Sequence, residues 1–494
     1  MAGGVLKKLA GQTAIYGLPN IVGRFLNYLL VPLHTLIFVD PSYYGIITVM
    51  YAYASILMIA LSYGTETTYF RFIQNQDEGT VFGSLWASLA ITGLAFLGFA
   101  FYFSIEIAAA IGFAEFDHYI KVFALILVFD SMSALALARL RQYEKAKQFA
   151  LINILGIVFN VGLNLLIILV LFPYTENNPD WKFAEYFKDK NALIFLIFLA
   201  NLAQAIIKLI AASWVAIKSN LLKLQWTILP KFWKYGGTIA VIGLLGILNE
   251  TADRIFLKEI LGRNHGETYA DLQVGIYGAN YKLAMLVTIF VQAFRFAAEP
   301  LFFRNAGANG KKELLGTVLN YFSAFVLLIA LVISLNIDYF KFFIRNESYY
   351  PGLVVVPVLL LANVFLGISI NLSIWYKMSK KTHMGIYLAI VGAIITLAGN
   401  FIFIESYGYM ASAYSTLACY GTICLLSYFM GKRHYPIPYQ IKKIGLLFAM
   451  ALALYIGSNS IVSESNMLQV ALRNIGIILF AVMAFKVVKS KRLA

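Results

Sequence analysis

Residues Asn249–Arg304 read NETADRIFLKEILGRNHGETYADLQVGIYGANYKLAMLVTIFVQAFRFAAEPLFFR. The first part sets Glu250, Asp253 and Arg254 inside an otherwise apolar run. After the turn-like GRNHGETYADLQ, a second apolar run carries Lys282, Arg295 and Glu299. A charged side chain near the middle of a membrane helix costs about 2.5–3.5 kcal/mol on insertion scales, so such residues face a protein interior or a water-filled pathway. The stretch therefore reads as two membrane helices whose inward faces carry function.

The rest of the chain agrees. Of 494 residues 61% are hydrophobic and only 13% charged, with mean hydropathy +0.76, whereas soluble domains carry about 25% charged residues. About 20 helical residues cross a bilayer core, and fourteen runs are long enough. They fall near residues 13–38, 45–70, 81–104, 119–140, 150–172, 191–217, 235–261, 275–303, 314–336, 351–375, 384–404, 408–430, 442–461 and 467–488. The expected class is an all-α polytopic membrane protein.

The net charge of +15 does not point to nucleic acid, because the positive charges lie on one side. Taking the runs in order, one set of connections holds 25 Lys and Arg, in groups such as Arg139, Arg141, Lys145 and Lys147, or Lys432, Arg433, Lys442 and Lys443. The other set holds only Lys121, Lys182, Lys188, Lys190, Lys258, Arg263, Lys341 and Arg345. This positive-inside bias places both termini in the cytoplasm. The N-terminal sequence lacks a short apolar core with a small-residue cleavage site, so a retained first helix is expected. Cys419 and Cys424, five positions apart on one helix, suit packing rather than a disulfide or a metal site.

Polar residues recur along single helical faces. In the first run Asn20, Arg24, Asn27 and His34 share one face; His34 has no second ligand at metal spacing. Glu66 in SYGTETTYFRF is either a proton or cation site or the partner of a basic residue on another helix. Asp130 has no opposite charge within one turn and needs a partner elsewhere or a proton. Asn153, Asn160 and Asn164 fit helix–helix hydrogen bonding, and Asn201, Gln204 and Lys208 continue a polar stripe on the next run, where Lys208 can also snorkel toward the surface. At i,i+4, Glu250 is spaced to pair with Arg254, and Arg295 with Glu299. That leaves Arg24, Lys208 and Lys282 as freer cations, and Glu66, Asp130 and Asp253 as candidates for ion coupling.

The chain also carries a weak internal repeat. Arg24 precedes Gly45 by 21 positions and Arg254 precedes Gly275 by the same 21, while Tyr51 and Tyr281 keep the register. ETTYFR at 66–71 is echoed by EPLFFR at 299–304 after a three-residue shift. Six helices per repeat makes the halves parallel. The expected organisation is an N-lobe over 1–225, a C-lobe over 226–435, and two further helices over 436–494.

GRFLNYLLVPLHTLIFVDPSYYGIITVMYAY, GTETTYFRF, DRIFLKEILG, VGIYGANYKLA, FRFAAEPLFFR and NLSIWYKMSKKT resemble the bacterial Wzx-type polysaccharide-biosynthesis flippases, in the superfamily of the lipid II flippase MurJ and the MATE exporters. The resemblance runs over essentially the whole chain. It implies two six-helix lobes around a central cavity that opens alternately to either side, in the bacterial cytoplasmic membrane. It also implies an undecaprenyl-pyrophosphate-linked oligosaccharide as substrate, held by basic residues, with H+ or Na+ coupling and with other polysaccharide-assembly proteins as partners. Arg24 corresponds to the first-helix cavity arginine. On this reading Arg24, Asn27, Lys208, Arg254, Lys282 and Arg295 face the substrate, and Glu66, Asp130, Glu250, Asp253 and Glu299 serve coupling or charge pairing.

Two other readings compete. A MATE-like multidrug exporter calls for a cavity dominated by acidic and aromatic groups. A membrane polymerase or ligase calls for a sizeable external catalytic loop, yet no connection on the sparse side passes twenty residues, and the sequence has no Walker motif, metal-ligand cluster or nucleophile elbow.

Overall fold

The computed structural model describes residues 21–23, 25–216, 222–304, 311–379, 381, 383–460 and 466–490; within these, the side chains of 215, 216, 296–304, 311, 459 and 466 are not described. Among the described residues every regular element is helical. The principal ones are α1 (Leu30–Ile37), α2 (Pro41–Ser62), α3 (Thr65–Phe72), α4 (Glu78–Tyr102), α5 (Asp117–Gln142), α6 (Ala146–Leu165), α7 (Lys190–Ala216) and α8 (Leu229–His265). They continue with α9 (Glu267–Arg304), α10 (Lys311–Leu335), α11 (Val355–Leu372), α12 (His383–Tyr407), α13 (Tyr409–His434), α14 (Ile441–Ser460) and α15 (Asn466–Lys489).

Among the described residues twelve helical segments are long and apolar enough to cross a membrane, which makes this a multi-pass membrane protein. The two other expected spans differ for separate reasons. The first run is only partly described, as Ile21–Ile37. Helix α8 has ample length at 37 residues but carries too many charges to qualify on hydropathy.

The chain divides into two compact units, residues 1–275 and 276–494. In the first, α5 is the central helix: 61% of its apolar window is buried, against 33% for the spans containing α2, α4, α6 and α7. It packs on α4 and α7, while α8 packs lengthwise on α2. That packing groups α8 with the first unit, so the units meet beyond the repeat boundary expected at 225/226. Local chemistry sets the helix starts. Asp40 accepts the Ser42 N–H ahead of Pro41 at the first turn of α2, and Asp77 accepts the Thr80 N–H at the start of α4, the usual work of an N-cap. In the second unit α11 packs on α13, and α12 on α13. Helices α14 and α15 lie against α10, with only 22% and 17% of their windows buried, as suits peripheral helices facing lipid.

One expectation is overturned here. The stretch GRNHGETYADLQ is not a loop: α8 runs to His265, α9 starts at Glu267, and only Gly266, at φ +91°, breaks the helix. Its charged residues read as turn chemistry, but they are helical because they find partners across the hairpin.

Candidate functional site

Among the described residues several charged side chains of the apolar runs are held in pairs, most of them bridging different helices. Asp253 and Arg254 are 3% and 8% exposed. Arg254 Nη1 donates to Asp253 Oδ1 at 2.9 Å and to the backbone carbonyl of Glu250. The expected partnership of Arg254 with the Glu250 carboxylate is replaced, because Asp253 lies buried beside the guanidinium while Glu250 is exposed. Lys208 on α7 pairs with Asp130 on α5, so the lone carboxylate takes the cation of the stripe one helix away. Above it, Gln204 packs against Gly156, and Asn160 Nδ2 donates to Asn201 Oδ1 at 3.5 Å. Asn164 Nδ2 donates to Asn160 Oδ1 at 2.9 Å, and its own Oδ1 meets His34 Nε2 at 3.3 Å. With the Asn164 amide nitrogen already donating, the imidazole nitrogen is the donor of that last bond. His34 is thus a buried, hydrogen-bonded residue.

At the end of the bundle formed by residues 38–45, 111–113 and 258–275 lies a second cluster that sequence reasoning missed. Lys258 is 1% exposed. Its Nζ stands 2.8 Å from Asp271 Oδ1, 2.7 Å from Glu267 Oε2 and 4.6 Å from the centre of the Phe113 ring. Beside it, α2 and α9 touch backbone to backbone. A Cβ on Gly45 would stand 2.0 Å from the Asp271 carbonyl oxygen, and one on Gly275 1.8 Å from that of Pro41. The contact is reciprocal: 275 − 45 and 271 − 41 both equal 230, as does 254 − 24, the offset of the sequence repeat. Positions equivalent in the repeat therefore meet across a local two-fold relation, in the manner of an isologous contact. From there α2 and α8 run antiparallel, tied by Tyr53 Oη donating to Glu259 at 2.9 Å, Ser55 to Thr251 at 3.4 Å, and Ile59 packing on Gly243.

The opposite end carries its own network. Glu78 accepts from Tyr69 at 2.7 Å, from the buried Arg139 at 2.9 Å and from Tyr143, and this bond to the Glu78 carboxylate pushes the Tyr143 hydroxyl above its ordinary range. Glu66 pairs with Arg141, which stacks over Phe70 and Phe149. Of the two roles open to Glu66, the partner of a basic residue on another helix is the one observed.

The remaining candidates are dispersed. Lys282 and Arg295 lie half-buried on α9 in the second unit, and Asn27 is exposed. Arg24 lies outside the described residues, as does the Glu299 side chain. Among the described residues no three His, Cys, Asp or Glu side chains converge as a metal site. The second unit holds an apolar cavity of about 430 Å³ between α10, α11, α13 and α14, lined by Leu331, Pro357, Leu361, Phe365, Phe448 and Leu452 among others.

A two-unit helical bundle with paired charges inside can be set against known proteins. The profile of a family described as polysaccharide biosynthesis protein matches residues 38–175. No curated protein sequence matches the chain. The lipid II flippase MurJ, in an inward closed conformation, superimposes with TM-score 0.67 over 95% of this chain and 98% of its own, at 13% identity. This is the fold of the MurJ and MATE transporters. The MATE multidrug transporter DinF-BH gives TM-score 0.61 at 16% identity over 86% of this chain and 96% of its own. An inward-facing MATE family transporter of the MOP superfamily gives 0.57 at 14% over 85% and 94%.

Proposed function

We propose that the protein is a flippase that carries an undecaprenyl-pyrophosphate-linked oligosaccharide across the bacterial cytoplasmic membrane by alternating access, for surface polysaccharide biosynthesis. The observation that carries this reading is the coincidence, in one chain, of a MurJ-like fold over nearly its full length with a polysaccharide-biosynthesis profile over residues 38–175. Orientation follows from the Lys and Arg bias, with both termini cytoplasmic and the Lys258 end external. Coupling is to H+ or Na+, and other polysaccharide-assembly proteins supply and receive the substrate.

Physical chemistry favours such a cargo. A pyrophosphate head cannot cross hydrocarbon as a bare charge, and Arg and Lys donors replace its hydration by charge-assisted hydrogen bonds. Arg24, Asn27, Lys208, Arg254, Lys282 and Arg295 are the side chains we assign to it. Of the acidic candidates, Asp130 and Asp253 serve as counter-ions that hold Lys208 and Arg254 between substrates. Glu66 stands at the cytoplasmic end with Arg141, and Glu299 is assigned to pairing with Arg295 on its i,i+4 spacing. The apolar cavity of the second unit suits a stretch of prenyl chain, which loses nothing on leaving lipid for such a lining.

Depleting the protein in its host and extracting the undecaprenyl-linked lipids tests the reading. Accumulation of one oligosaccharide-pyrophosphate lipid, identified by mass spectrometry, is expected. An unchanged lipid profile together with gained drug susceptibility would instead assign the chain to multidrug export.

A further inference from the structure

We propose that Lys258 is a positioning residue for transport: by tying α8 to α9 through Glu267 and Asp271, and by its contact with Phe113, it shapes the hairpin end that seats on α2 and the 111–113 turn, and this latch must release in each cycle. For its external placement the proposal rests on the orientation given above.

Three observations converge on it. Lys258 is the most deeply buried of the described charges in its region, yet it answers two carboxylates, Asp271 and Glu267, the second of which is 52% exposed at its side chain. A fully buried ion pair contributes little net stability compared with apolar packing, whereas breaking one is costly; such an arrangement specifies one docked geometry. Second, Gly112 sits at φ +78°, and a Cβ there would lie 2.2 Å from Glu267 Oε2 and 2.9 Å from Lys258 Cε. The turn is thus fitted against the ion cluster itself, with Phe113 covering the ammonium. Third, the neighbouring Gly45–Asp271 and Gly275–Pro41 contacts are backbone approaches too close for a Cβ, and the two contacts are exchanged by the offset of 230 that relates 45 to 275 and 41 to 271 in the repeat. The ion cluster lies within the hairpin, and Asp271 belongs to both features: its carboxylate pairs with Lys258 while its backbone carbonyl abuts Gly45, so the cluster fixes the α9 surface that makes this contact.

The test needs no substrate. In a background with Cys419→Ser and Cys424→Ser, a reporter Thr251→Cys is placed below the latch, and Arg263→Cys, whose native side chain is 80% exposed, marks the surface beside it. Labelling by a membrane-impermeant maleimide is followed in intact cells and in inverted vesicles; the side on which Arg263→Cys reacts is the side from which the reporter is read. With Lys258 present, the reporter should label slowly. With Lys258→Met its labelling from that side should rise about tenfold, while Arg263→Cys labels alike in both backgrounds. An unchanged reporter rate in a fully inserted Lys258→Met protein overturns the latch. If Lys258→Met does not insert, Asp271→Asn is read in the same way against the same criterion. Reaction of Arg263→Cys only in inverted vesicles would refute the orientation and leave the latch to be judged by the reporter ratio.

Discussion

The ionisable residues of the apolar runs stand out in the sequence because burial makes each of them expensive, but their partners do not. Asp130 and Lys208 are 78 positions apart on α5 and α7 (208 − 130), and only packing brings them together. Arg254 takes Asp253, its sequence neighbour, in place of Glu250, because the neighbour shares the buried face. Lys258 escaped notice for a different reason: near the end of its run it counts as a loop residue, although it lies one helical turn from Arg254 on the buried face. A testable asymmetry follows for Lys208 and Asp130, whose side chains are 17% and 28% exposed. Lys208→Met alone leaves a carboxylate without its cation and should cost about 1–3 kcal/mol, below the 3–5 kcal/mol of fully buried pairs because solvent screens part of the charge. Adding Asp130→Asn should recover most of that loss in thermal unfolding of the purified protein. If Lys208 is the phosphate donor we propose, transport should stay impaired in the double variant; recovered transport would make the pair purely structural.

At the scale of elements, α2 and α9 are positioned by glycine. Gly45 and Gly275 are legible as repeat markers, but that they touch is not, because a repeat gives register and not distance. Gly275→Val would force the α2 backbone away by a clash at 1.8 Å with the Pro41 carbonyl, and the unfolding temperature should fall by several degrees, about the effect of a 1–3 kcal/mol overpacking penalty. Gly237 is the control. Nothing lies within 4 Å of a Cβ there, so Gly237→Ala in the helix interior should leave stability unchanged or raise it by about 0.5–1 kcal/mol. Equal losses for the two substitutions would contradict the close approach. The same element level explains the misread turn: polar composition at 262–273 looks like a loop when charges are counted one at a time, and reads as helix once Lys258 is seen to neutralise Glu267 and Asp271.

For the whole molecule, the helical membrane class followed from composition, and the position of most spans from hydropathy. Helix α8 shows where hydropathy stops serving: its charges lower the apolar score of a 37-residue helix that the fold nevertheless buries against α2. We assign the inward charges of this fold to a pyrophosphate-linked sugar. The measurement that tests this most directly is reconstitution of the purified protein into vesicles loaded with the lipid-linked oligosaccharide that accumulates on its depletion. Access of an added glycosidase to the sugar reports movement between leaflets. The protected inner-leaflet fraction should become cleavable with time when the protein is present and remain protected in protein-free vesicles. Protection that persists in vesicles shown to contain the folded protein and an imposed H+ and Na+ gradient would contradict the assignment.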